Sequence, residues 1–437
     1  MLDLTTPRVL LVGGRYVDLA RQAVHGLPEP PRLVGLEPEA GPDAGLDRLI
    51  AAADALEPEE VADDDLAVMM FTSGTTAMPK AVMLDHAALT NFVFATTEPV
   101  DGTDRGSVLV AAPLYHIAGL SSVLTATFGG RRIVLMRQFD AEEWLRLVAS
   151  QRVTHAFLVP TMLKHVLDRP ALATTDLSSL RVLSYGAAPM PLGVIRRAIE
   201  AFPPQVQFIN AFGQTETTST VTMLGPDDHR LEGSPSEIER KLQRLASIGR
   251  PLPDVEVAIL DSDGRALPAG AVGEIAIRTE RVMRGYYGQD DATRLTLQDG
   301  WLRTRDLGWM DDDGYVFLAG RASDLIIRGG ENIAPAEVEL ALASHPAVEE
   351  VAVFGVPDED WGERVAAAVV LRPVSEISAE ALIEHTRQRL ASFKKPEVIF
   401  FVKQLPKSPL GKVVRRELRA FVGGSRTLGG QHAESRR

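Results

Sequence analysis

The sequence contains no cysteine, which excludes disulfide bonds, thiolate metal sites and cysteine nucleophiles. It also lacks a run of the ~20 apolar residues that a membrane-spanning helix needs, and its start lacks the basic leader of a signal peptide. Positive charge is in deficit, because 46 Lys and Arg stand against 59 Asp and Glu, for a formal net charge of −13. This deficit argues against nucleic acid as a partner. We expect a soluble, cytoplasmic protein without a transmembrane segment, in which a local positive site holds any anionic ligand.

The 437 residues are too many for one hydrophobic core, so we expect two or three domains. Up to about residue 245, short apolar runs alternate with amphipathic segments such as 140–151 and 191–202. Strand–helix–strand repetition of this kind predicts a largely parallel β-sheet covered by helices. Ligands bind such sheets at the carboxyl ends of the strands, in the loops that follow them.

Two other patterns follow along the chain. After about residue 245, alternating apolar and polar residues with Asp-Gly turns at 263–264 and 313–314 predict a small antiparallel sheet or barrel. After Arg321, helical segments and strands predict a compact α+β unit of about a hundred residues. The final stretch, 423–437, is rich in Gly, Ser and Arg without an apolar period, so we expect it to be disordered.

One stretch, MMFTSGTTAMPKAVM (69–83), ends an apolar run with a row of hydroxyls and a glycine and then reaches Lys80. Backbone N–H groups, hydroxyls and a positive charge are the parts of an anion-binding loop, and phosphate is the commonest anion bound in this way. The spacing differs from that of the P-loop NTPases. Taken alone, the stretch has an alternative interpretation as an ordinary turn.

Four further stretches accompany this loop along the chain. They are NAFGQTETT (210–218), GWLRTRDLG (300–308), GRASDLIIRGGENIAPAEVE (320–339) and LPKSPLGKVVRREL (405–418). In order and spacing, the five stretches resemble the signature stretches of the adenylate-forming enzyme superfamily, specifically those of the acyl-CoA synthetase type (fatty-acid and aryl-CoA ligases). The resemblance covers residues 65 to about 418.

The resemblance implies an α/β fold in two parts. A large AMP-binding domain, residues 1–321, has layered parallel β-sheets with helices plus a small β-barrel, and it is short at its N-terminal end relative to the family. A smaller, mobile α+β domain, residues 322–422, acts as a lid with its hinge at Ser323. The family usually has Asp or Lys at the hinge, so Ser323, followed by Asp324, leaves open which residue is the pivot.

The resemblance also implies the reaction. ATP and a carboxylic acid form an acyl-AMP, pyrophosphate leaves, and coenzyme A takes the acyl group. Lys412 is the implied catalytic lysine, because its ammonium group can lie between the acid and the α-phosphate. Glu216 is the implied Mg2+ ligand, and Thr215 is implied to face the α-phosphate. Positioning and charge stabilisation suffice for this chemistry, so a chain without a cysteine nucleophile can perform it.

The implied nucleotide contacts lie in several separate stretches. The β- and γ-phosphates contact Thr72, Ser73, Gly74, Thr75, Thr76 and Lys80. The adenine lies against the backbone of Gly186, Ala187 and Ala188 and the ring of Phe212, in a stretch that also contributes Asn210 and Gly213. Asp306 and Arg321 bind the ribose, and Gly329 and Gly330 face the pantetheine arm of coenzyme A. The loop departs from the family at Ala77 and Ala81, where glycine is usual.

The acid is indicated by residues 113–120, PLYHIAGL, where amino-acid-activating members carry an aspartate. This stretch has no acidic residue, which favours a small fatty or aromatic carboxylic acid. His116 and Tyr185 are assigned to the acid pocket, and a hydrogen-bonded core histidine is the alternative for His116. Two other functions stay open: loading of a carrier protein, and a truncated nucleotide-binding relative with little turnover. The sequence does not determine the particular acid or the oligomeric state, and a homodimer is one possibility.

Overall fold

A computed structural model describes residues 1–37, 44–72, 79–321, 324–407 and 413–422. The chain divides into two compact units. The first unit comprises Met1–His86 and Arg284–Thr293, and the second comprises Ala87–Met283 and Arg294–Arg437. The predicted domain boundary between residues 321 and 322 falls inside the second unit and stays a prediction.

The described residues form short helices and strands. The helices are α1 Leu2–Thr5, α2 Val17–Val24, α3 Leu46–Ala52, α4 His86–Thr96, α5 Ile117–Phe128, α6 Ala141–Ser150, α7 Pro160–Leu167, α8 Leu192–Ala201, α9 Pro226–His229, α10 Pro235–Arg244, α11 Asp290–Thr296, α12 Pro335–Ala343, α13 Ala379–Arg387 and α14 Arg415–Val422. The strands are β1 Val9–Val12, β2 Arg32–Gly35, β3 Ala44–Gly45, β4 Leu66–Thr72, β5 Lys80–Asp85, β6 Ser107–Val110, β7 Arg132–Leu135, β8 His155–Leu158, β9 Val182–Gly186, β10 Gln207–Gln214, β11 Ser219–Leu224, β12 Arg250–Pro251, β13 Glu256–Leu260, β14 Gly273–Arg278, β15 Gly285–Tyr286, β16 Leu297–Gln298, β17 Trp301–Met310, β18 Val316–Arg321, β19 Ile326–Arg328, β20 Glu331–Ile333, β21 Val348–Asp358, β22 Gly362–Leu371 and β23 Val398–Phe401. Among these described elements, every helix is too short or too polar to cross a bilayer.

The first unit contains two small sheets. β1, β2 and β3 pair in parallel, whereas β15, β5 and β4 form an antiparallel sheet. The predicted strand at 66–72 is β4, and its neighbour in the sheet is the next strand along the chain, β5. This strand therefore belongs to an antiparallel pair and lies outside the large parallel sheet.

The second unit is built on a seven-stranded sheet in the order β12-β11-β10-β9-β8-β6-β7. The strands from β7 to β10 pair in parallel, and β11 and β12 add two antiparallel strands at one edge. Helices cover this sheet with their apolar faces; on α6, Trp144, Leu145 and Val148 recur at helical spacing and are all buried. The largely parallel sheet covered by helices is therefore confirmed.

The region after residue 245 forms a five-stranded antiparallel sheet, β13-β14-β17-β16 with β18 beside β17. The predicted turn at 313–314 joins β17 to β18, with Gly314 at φ +81°. Asp311 stabilises this turn, because its Oδ1 accepts hydrogen bonds from the backbone N–H groups of Asp313 (3.0 Å) and Tyr315 (2.8 Å). The predicted antiparallel sheet is confirmed.

The C-terminal segment forms an α+β sheet in the order β20-β19-β22-β21, with β23 parallel to β22. Successive residues of β21 alternate between two cores. Val353 lies in a core with residues of α12 and α13, whereas Phe354 lies in a core with residues of α14. Both faces of the sheet are therefore covered by helices, and the segment is α+β, as predicted.

Candidate functional site

The predicted phosphate loop is anchored at both ends within the first unit. β4 ends at Thr72 and β5 begins at Lys80, and the strand register places these two residues opposite each other. The Nζ of Lys80 lies 4.3 Å from the ring centroid of Tyr286 on β15, a cation–π contact. Residues 73–76, the predicted phosphate-binding Ser73, Gly74, Thr75 and Thr76, lie outside the described residues, as does Ala77. Their role stays a prediction.

The predicted adenine loop follows β9 in the second unit, where two backbones approach closely. A Cβ on Gly186 would lie 2.1 Å from the carbonyl oxygen of Ala211, and a Cβ on Gly213 would lie 1.7 Å from the carbonyl oxygen of Ser219. Both distances are far below van der Waals contact, so only glycine fits at these two positions. Ala187 and Ala188 follow Gly186 and are partly exposed, and their role toward adenine stays a prediction.

Strained backbone is concentrated around the predicted nucleotide contacts. Eight described residues other than glycine have positive φ, and four of them lie in or beside the predicted adenine, α-phosphate and ribose stretches: Ala187 (+64°), Thr218 (+48°), Ser219 (+79°) and Arg305 (+61°). Each such residue costs on the order of 1–3 kcal/mol and persists only where surrounding contacts enforce it. The distribution supports a functional constraint on these stretches.

Thr215 and Glu216 lie on a short 3₁₀ turn, Thr215–Thr217, between β10 and β11. Thr217 is fully buried and fixes this turn: its Oγ1 accepts from the backbone N–H of Gln214 at 2.9 Å and lies 3.0 Å from the carbonyl oxygen of Ser219. Glu216 is partly buried, and its carbonyl oxygen accepts from the N–H of Met283 at 2.8 Å. The structure therefore holds the backbone of Glu216 in one position.

Asp306 and Arg321, the predicted ribose contacts, lie together. They are opposite each other in the register of β17 and β18, and Arg321 Nε donates to Asp306 Oδ1 at 3.0 Å. Gln214 Nε2 donates to Asp306 Oδ2 at 2.7 Å. Gln214 belongs to the NAFGQTETT stretch, but the sequence analysis assigned no role to it. Its position between Gly213 and Thr215, which both have assigned roles, could have indicated a role for Gln214 as well.

Tyr185 has a core position, which differs from its expected place in the acid pocket. Its side chain is fully buried, and its hydroxyl lies 2.9 Å from Nε2 of His229. His229 Nδ1 donates to the carbonyl oxygen of Gly225 at 2.7 Å, so Nε2 accepts and the Tyr185 hydroxyl donates. Burial lowers the pKa of His229 to about 4 and raises the pKa of the Tyr185 hydroxyl. Any contact of Tyr185 with the acid would have to come from its backbone.

Asn210 and Phe212 also make internal contacts. The Asn210 amide is 8% exposed and donates to the carbonyl oxygen of Ser247 at 3.1 Å. Phe212 is partly buried and packs against the core of the five-stranded antiparallel sheet. Phe212 is therefore not fully buried, whereas the Asn210 side chain supports the sheet. Their roles toward adenine stay predictions.

His116 caps the N-terminus of α5. Its Nδ1 accepts from the backbone N–H of Ala118 at 3.2 Å, so the proton of the neutral ring is on Nε2. The residue is partly buried, and α5 contacts the first residue of β11 through a hydrogen bond of 3.2 Å between Ser219 and Ser121. His116 therefore begins a helix that contacts the start of β11, the strand after the turn carrying Glu216, and its pocket role stays a prediction.

Gly329 and Gly330 form the two-residue turn between β19 and β20. Their φ angles are +59° and +86°, which a turn of this hairpin class requires at both central positions. A Cβ on Gly329 would lie 2.7 Å from the ring of Trp361, whose side chain is 49% exposed. The guanidinium of Arg328 lies 4.5 Å above the same ring. The positive φ angles and the nearby Trp361 ring therefore explain why glycine occupies these two positions. The partly exposed Trp361 side chain lies beside the turn.

The predicted catalytic Lys412 and the predicted hinge Ser323 lie outside the described residues. Asp324, which follows the hinge, pairs with Arg415 at 3.2 Å, and Arg415 also pairs with Glu339 at 2.6 Å. These contacts connect the segment after the hinge to the first turn of α14. The described residue after Ser323 is therefore bound to the C-terminal α+β segment.

The described residues contain no group of three or more His, Asp or Glu side chains that could hold a metal ion. Mg2+ does not require such a cage, because it commonly uses one or two carboxylates together with phosphate oxygens and water. A single partly buried carboxylate on a fixed turn, as found at Glu216, fits this mode.

Known proteins similar to this chain include ligases with different acceptors. The fatty acid–[acyl-carrier-protein] ligase ScoC of Streptomyces coeruleorubidus is 37% identical over 374 residues, covering 84% of this chain and 70% of ScoC. The long-chain-fatty-acid–CoA ligase FadD13 of Mycobacterium tuberculosis is 32% identical over 410 residues, covering 92% of this chain and 78% of FadD13. The structure of the amide bond synthetase McbA of Marinactinospora thermotolerans matches with a TM-score of 0.84 and 31% identity, covering 96% of this chain and 81% of McbA.

Two family models match the chain. The model of the AMP-binding enzyme matches residues 1–287, and the model of the AMP-binding enzyme C-terminal domain matches residues 337–412. These matches agree with the five signature stretches and with the α/β fold. The chain belongs to the AMP-binding enzyme family, the adenylate-forming superfamily of ligases.

Proposed function

We propose that the protein is an ATP-dependent acyl-CoA synthetase, an AMP-forming acid–thiol ligase. It activates a fatty or aromatic carboxylic acid as acyl-AMP and transfers the acyl group to coenzyme A. One observation carries the proposal: Gln214, next to the turn of Glu216, is hydrogen-bonded to Asp306, which is paired with Arg321. The fixed Asp306 carboxylate suits the ribose of a nucleotide, and Glu216, on a turn whose backbone is held, suits its phosphates.

The nucleotide would be held by charge and shape. The Asp306 carboxylate is an acceptor with about four lone-pair sites, so it can accept from two ribose hydroxyls while Arg321 and Gln214 keep its orientation fixed. Glu216 would hold Mg2+, which neutralises charge on the phosphate oxygens when bound. The strained Ala187 backbone and the partly buried Phe212 would enclose the adenine.

The first chemical step forms one bond and breaks one bond. A carboxylate oxygen of the acid attacks the α-phosphorus of ATP, and the bond between that phosphorus and the oxygen bridging to the β-phosphate breaks, with the electron pair leaving on pyrophosphate. Lys412 would lower the repulsion between the two anions at this point, because its ammonium charge compensates the charge that accumulates there. The residues of the described site position the nucleotide for this attack.

The acid would enter near residues 113–120, at the carboxyl end of β6. Leu114 and Tyr115 are 52% and 73% exposed there, and no acidic residue lies in this stretch. Apolar side chains without a carboxylate favour an acid that carries no ammonium group. The ligases of fatty acids among the similar proteins support the same class of substrate.

Coenzyme A is the acceptor that we propose, with a carrier protein as the alternative. The exposed indole of Trp361 beside the Gly329-Gly330 turn offers a flat apolar surface next to a narrow glycine turn, which suits a small thiol cofactor. The thiolate of the acceptor would attack the acyl carbon, and the bond from that carbon to the AMP oxygen would break. For this second step we propose that residues 322–422 rotate about Ser323 as a lid.

Pyrophosphate release tests the proposal. The full chain is incubated with ATP, Mg2+ and each member of a panel of fatty, aromatic and amino acids, with and without coenzyme A. AMP formation that depends on coenzyme A and on a fatty or aromatic acid supports the proposal. Acyl-AMP that accumulates with coenzyme A but is consumed by a carrier protein would support carrier loading. ATP binding without pyrophosphate release with any acid would indicate a nucleotide-binding relative with little turnover.

A further inference from the structure

Gln214 reaches across the second unit to the predicted ribose carboxylate. It is the last residue of β10, whereas Asp306 lies on β17, 92 positions later. Its Nε2 donates one hydrogen bond to Asp306 Oδ2 at 2.7 Å and another to the carbonyl oxygen of Thr304 at 3.1 Å. Both N–H groups of the Gln214 amide are therefore used. In the flipped orientation, the amide oxygen would face these two acceptors and could form neither hydrogen bond.

Asp306 is fixed by three different elements. From β18, Arg321 Nε donates to its Oδ1 at 3.0 Å. From β17 itself, Thr304 Oγ1 accepts from its backbone N–H at 3.1 Å. From β10, Gln214 donates to its Oδ2. The Arg321 side chain is 48% exposed, whereas Gln214 is partly buried and held by two hydrogen bonds, so Gln214 is the less mobile of the two side chains that support the carboxylate.

The Gln214 backbone is itself held in place. Its N–H donates to Thr217 Oγ1 at 2.9 Å, which closes the turn that carries Glu216. The same residue thus contacts the turn assigned to the metal and phosphates and the carboxylate assigned to the ribose. Rotation of the Asp306 carboxylate would break the bond of 2.7 Å, and a hydrogen bond to a charged group is among the stronger ones in proteins.

We propose that Gln214 is a positioning residue that fixes the rotation of the Asp306 carboxylate and thereby sets the selectivity of the site for a nucleotide with both ribose hydroxyls. The inference rests on the ribose role of Asp306 in the proposed function. Gln214 acts through Asp306 and touches no reacting atom. A residue of this kind changes nucleotide affinity and ribose discrimination.

Binding of three nucleotides tests this role without requiring turnover. Dissociation constants of ATP, 2′-deoxyATP and 3′-deoxyATP are measured by titration calorimetry for the full chain and its variants. The unsubstituted protein should bind each deoxynucleotide about 10-fold or more weakly than ATP, because each lacks one hydrogen bond to a charged group. In the Gln214→Met variant, ATP affinity should fall about 10-fold, and the preference for ATP over the deoxynucleotides should fall to about threefold or less.

Two further variants separate positioning from packing. Gln214→Glu places a second carboxylate next to Asp306, so ATP should bind still more weakly than in Gln214→Met, whereas a residue that acts by packing alone would tolerate both changes. Gln388→Met is the matched control: Gln388 is an exposed glutamine whose amide also donates to a carboxylate, that of Glu384, at 3.1 Å. Its nucleotide affinities should equal those of the unsubstituted protein. If Gln214→Met does not fold, Gln214→Asn replaces it, because this side chain keeps the amide and is too short to reach Asp306.

The possible outcomes are distinct. Unchanged affinities and an unchanged preference for ATP in Gln214→Met would overturn the proposal. Equal binding of ATP and both deoxynucleotides by the unsubstituted protein would overturn it as well, because Asp306 would then not read the ribose. If the expected pattern of affinities is found but no acid supports pyrophosphate release, the positioning role of Gln214 stands and the proposed ligase function fails.

Discussion

Replacing Tyr185 by phenylalanine separates a structural role from a role in the acid pocket. In the structure the Tyr185 hydroxyl donates to Nε2 of His229 at 2.9 Å, and both side chains are buried, His229 with 3% exposure. Tyr185→Phe removes the only donor to this ring nitrogen found among the described residues. A buried acceptor without a donor costs about 1–3 kcal/mol. We therefore expect the free energy of unfolding to fall by this amount at pH values near neutrality.

The pH dependence provides a second check on the same pair. Burial lowers the pKa of His229 from 6.5 to about 4, so the charged ring is disfavoured in the folded protein. A group with a lowered histidine pKa contributes stability that is fully present above pH 6.5 and is lost as the pH falls toward 4. Each pKa unit corresponds to about 1.4 kcal/mol, so this loss amounts to about 3 kcal/mol. The cost of Tyr185→Phe should shrink only as the pH approaches 4, because the ring becomes protonated there and a protonated Nε2 no longer accepts from Tyr185.

The assay is urea unfolding at a series of pH values from about 4.5 to about 8, together with the KM for the acid. Tyr16→Phe is the control, because Tyr16 is 49% exposed and its hydroxyl has no hydrogen-bond partner among the described residues. The buried pair predicts a loss of stability with an unchanged KM for the acid. A Tyr185→Phe variant as stable as the unsubstituted protein, with a changed KM for the acid, would show this interpretation to be wrong and return Tyr185 to the pocket.

Three other sites in the structure give predictions. Gly213→Ala should abolish ATP binding in calorimetry, because its Cβ would lie 1.7 Å from a carbonyl oxygen, whereas the helical Gly193→Ala, whose nearest neighbour lies at 3.8 Å, should bind normally. Lys164 on α7 and Glu349 on β21 form an ion pair of 3.1 Å, and their side chains are 26% and 29% exposed. A double-mutant cycle of unfolding free energies should give a coupling free energy of about 0.5–1 kcal/mol, which should decrease in high salt. Glu216→Gln should raise the Mg2+ concentration for half-maximal pyrophosphate release by about 10-fold or more, and an unchanged Mg2+ requirement would contradict the assignment.

Local pattern was enough to predict the sheets and the turns. The apolar run of β21 and the Asp-Gly turn before β18 depend on neighbouring residues, so the sequence displays them directly. The strand at 66–72 was also predicted, but its antiparallel partner β5 was not, because pairing depends on the tertiary fold and an apolar run does not record its neighbour. Periodicity alone therefore assigned this strand to the wrong kind of sheet.

The motifs predicted the residues of the candidate site, but they did not indicate a residue whose proposed role depends on a contact with a distant part of the chain. Asp306 and Arg321 lie 15 positions apart, yet strand register brings them together as the ribose assignment requires. Gln214 was missed because its hydrogen bond reaches a residue 92 positions away. Tyr185 was expected on a pocket surface because the motif around it is functional, whereas alternation along β9 directs its side chain into the core.

Acid-dependent exchange of labelled pyrophosphate into ATP is the decisive measurement for adenylation by this protein. The measurement compares the unsubstituted protein with Lys412→Ala, and ATP affinity is determined for both. We predict exchange that requires a fatty or aromatic acid, a decrease of about 100-fold or more in Lys412→Ala, and ATP dissociation constants within about threefold of each other. Exchange that persists in Lys412→Ala, or that is absent from the unsubstituted protein with every acid, would contradict the proposed chemistry.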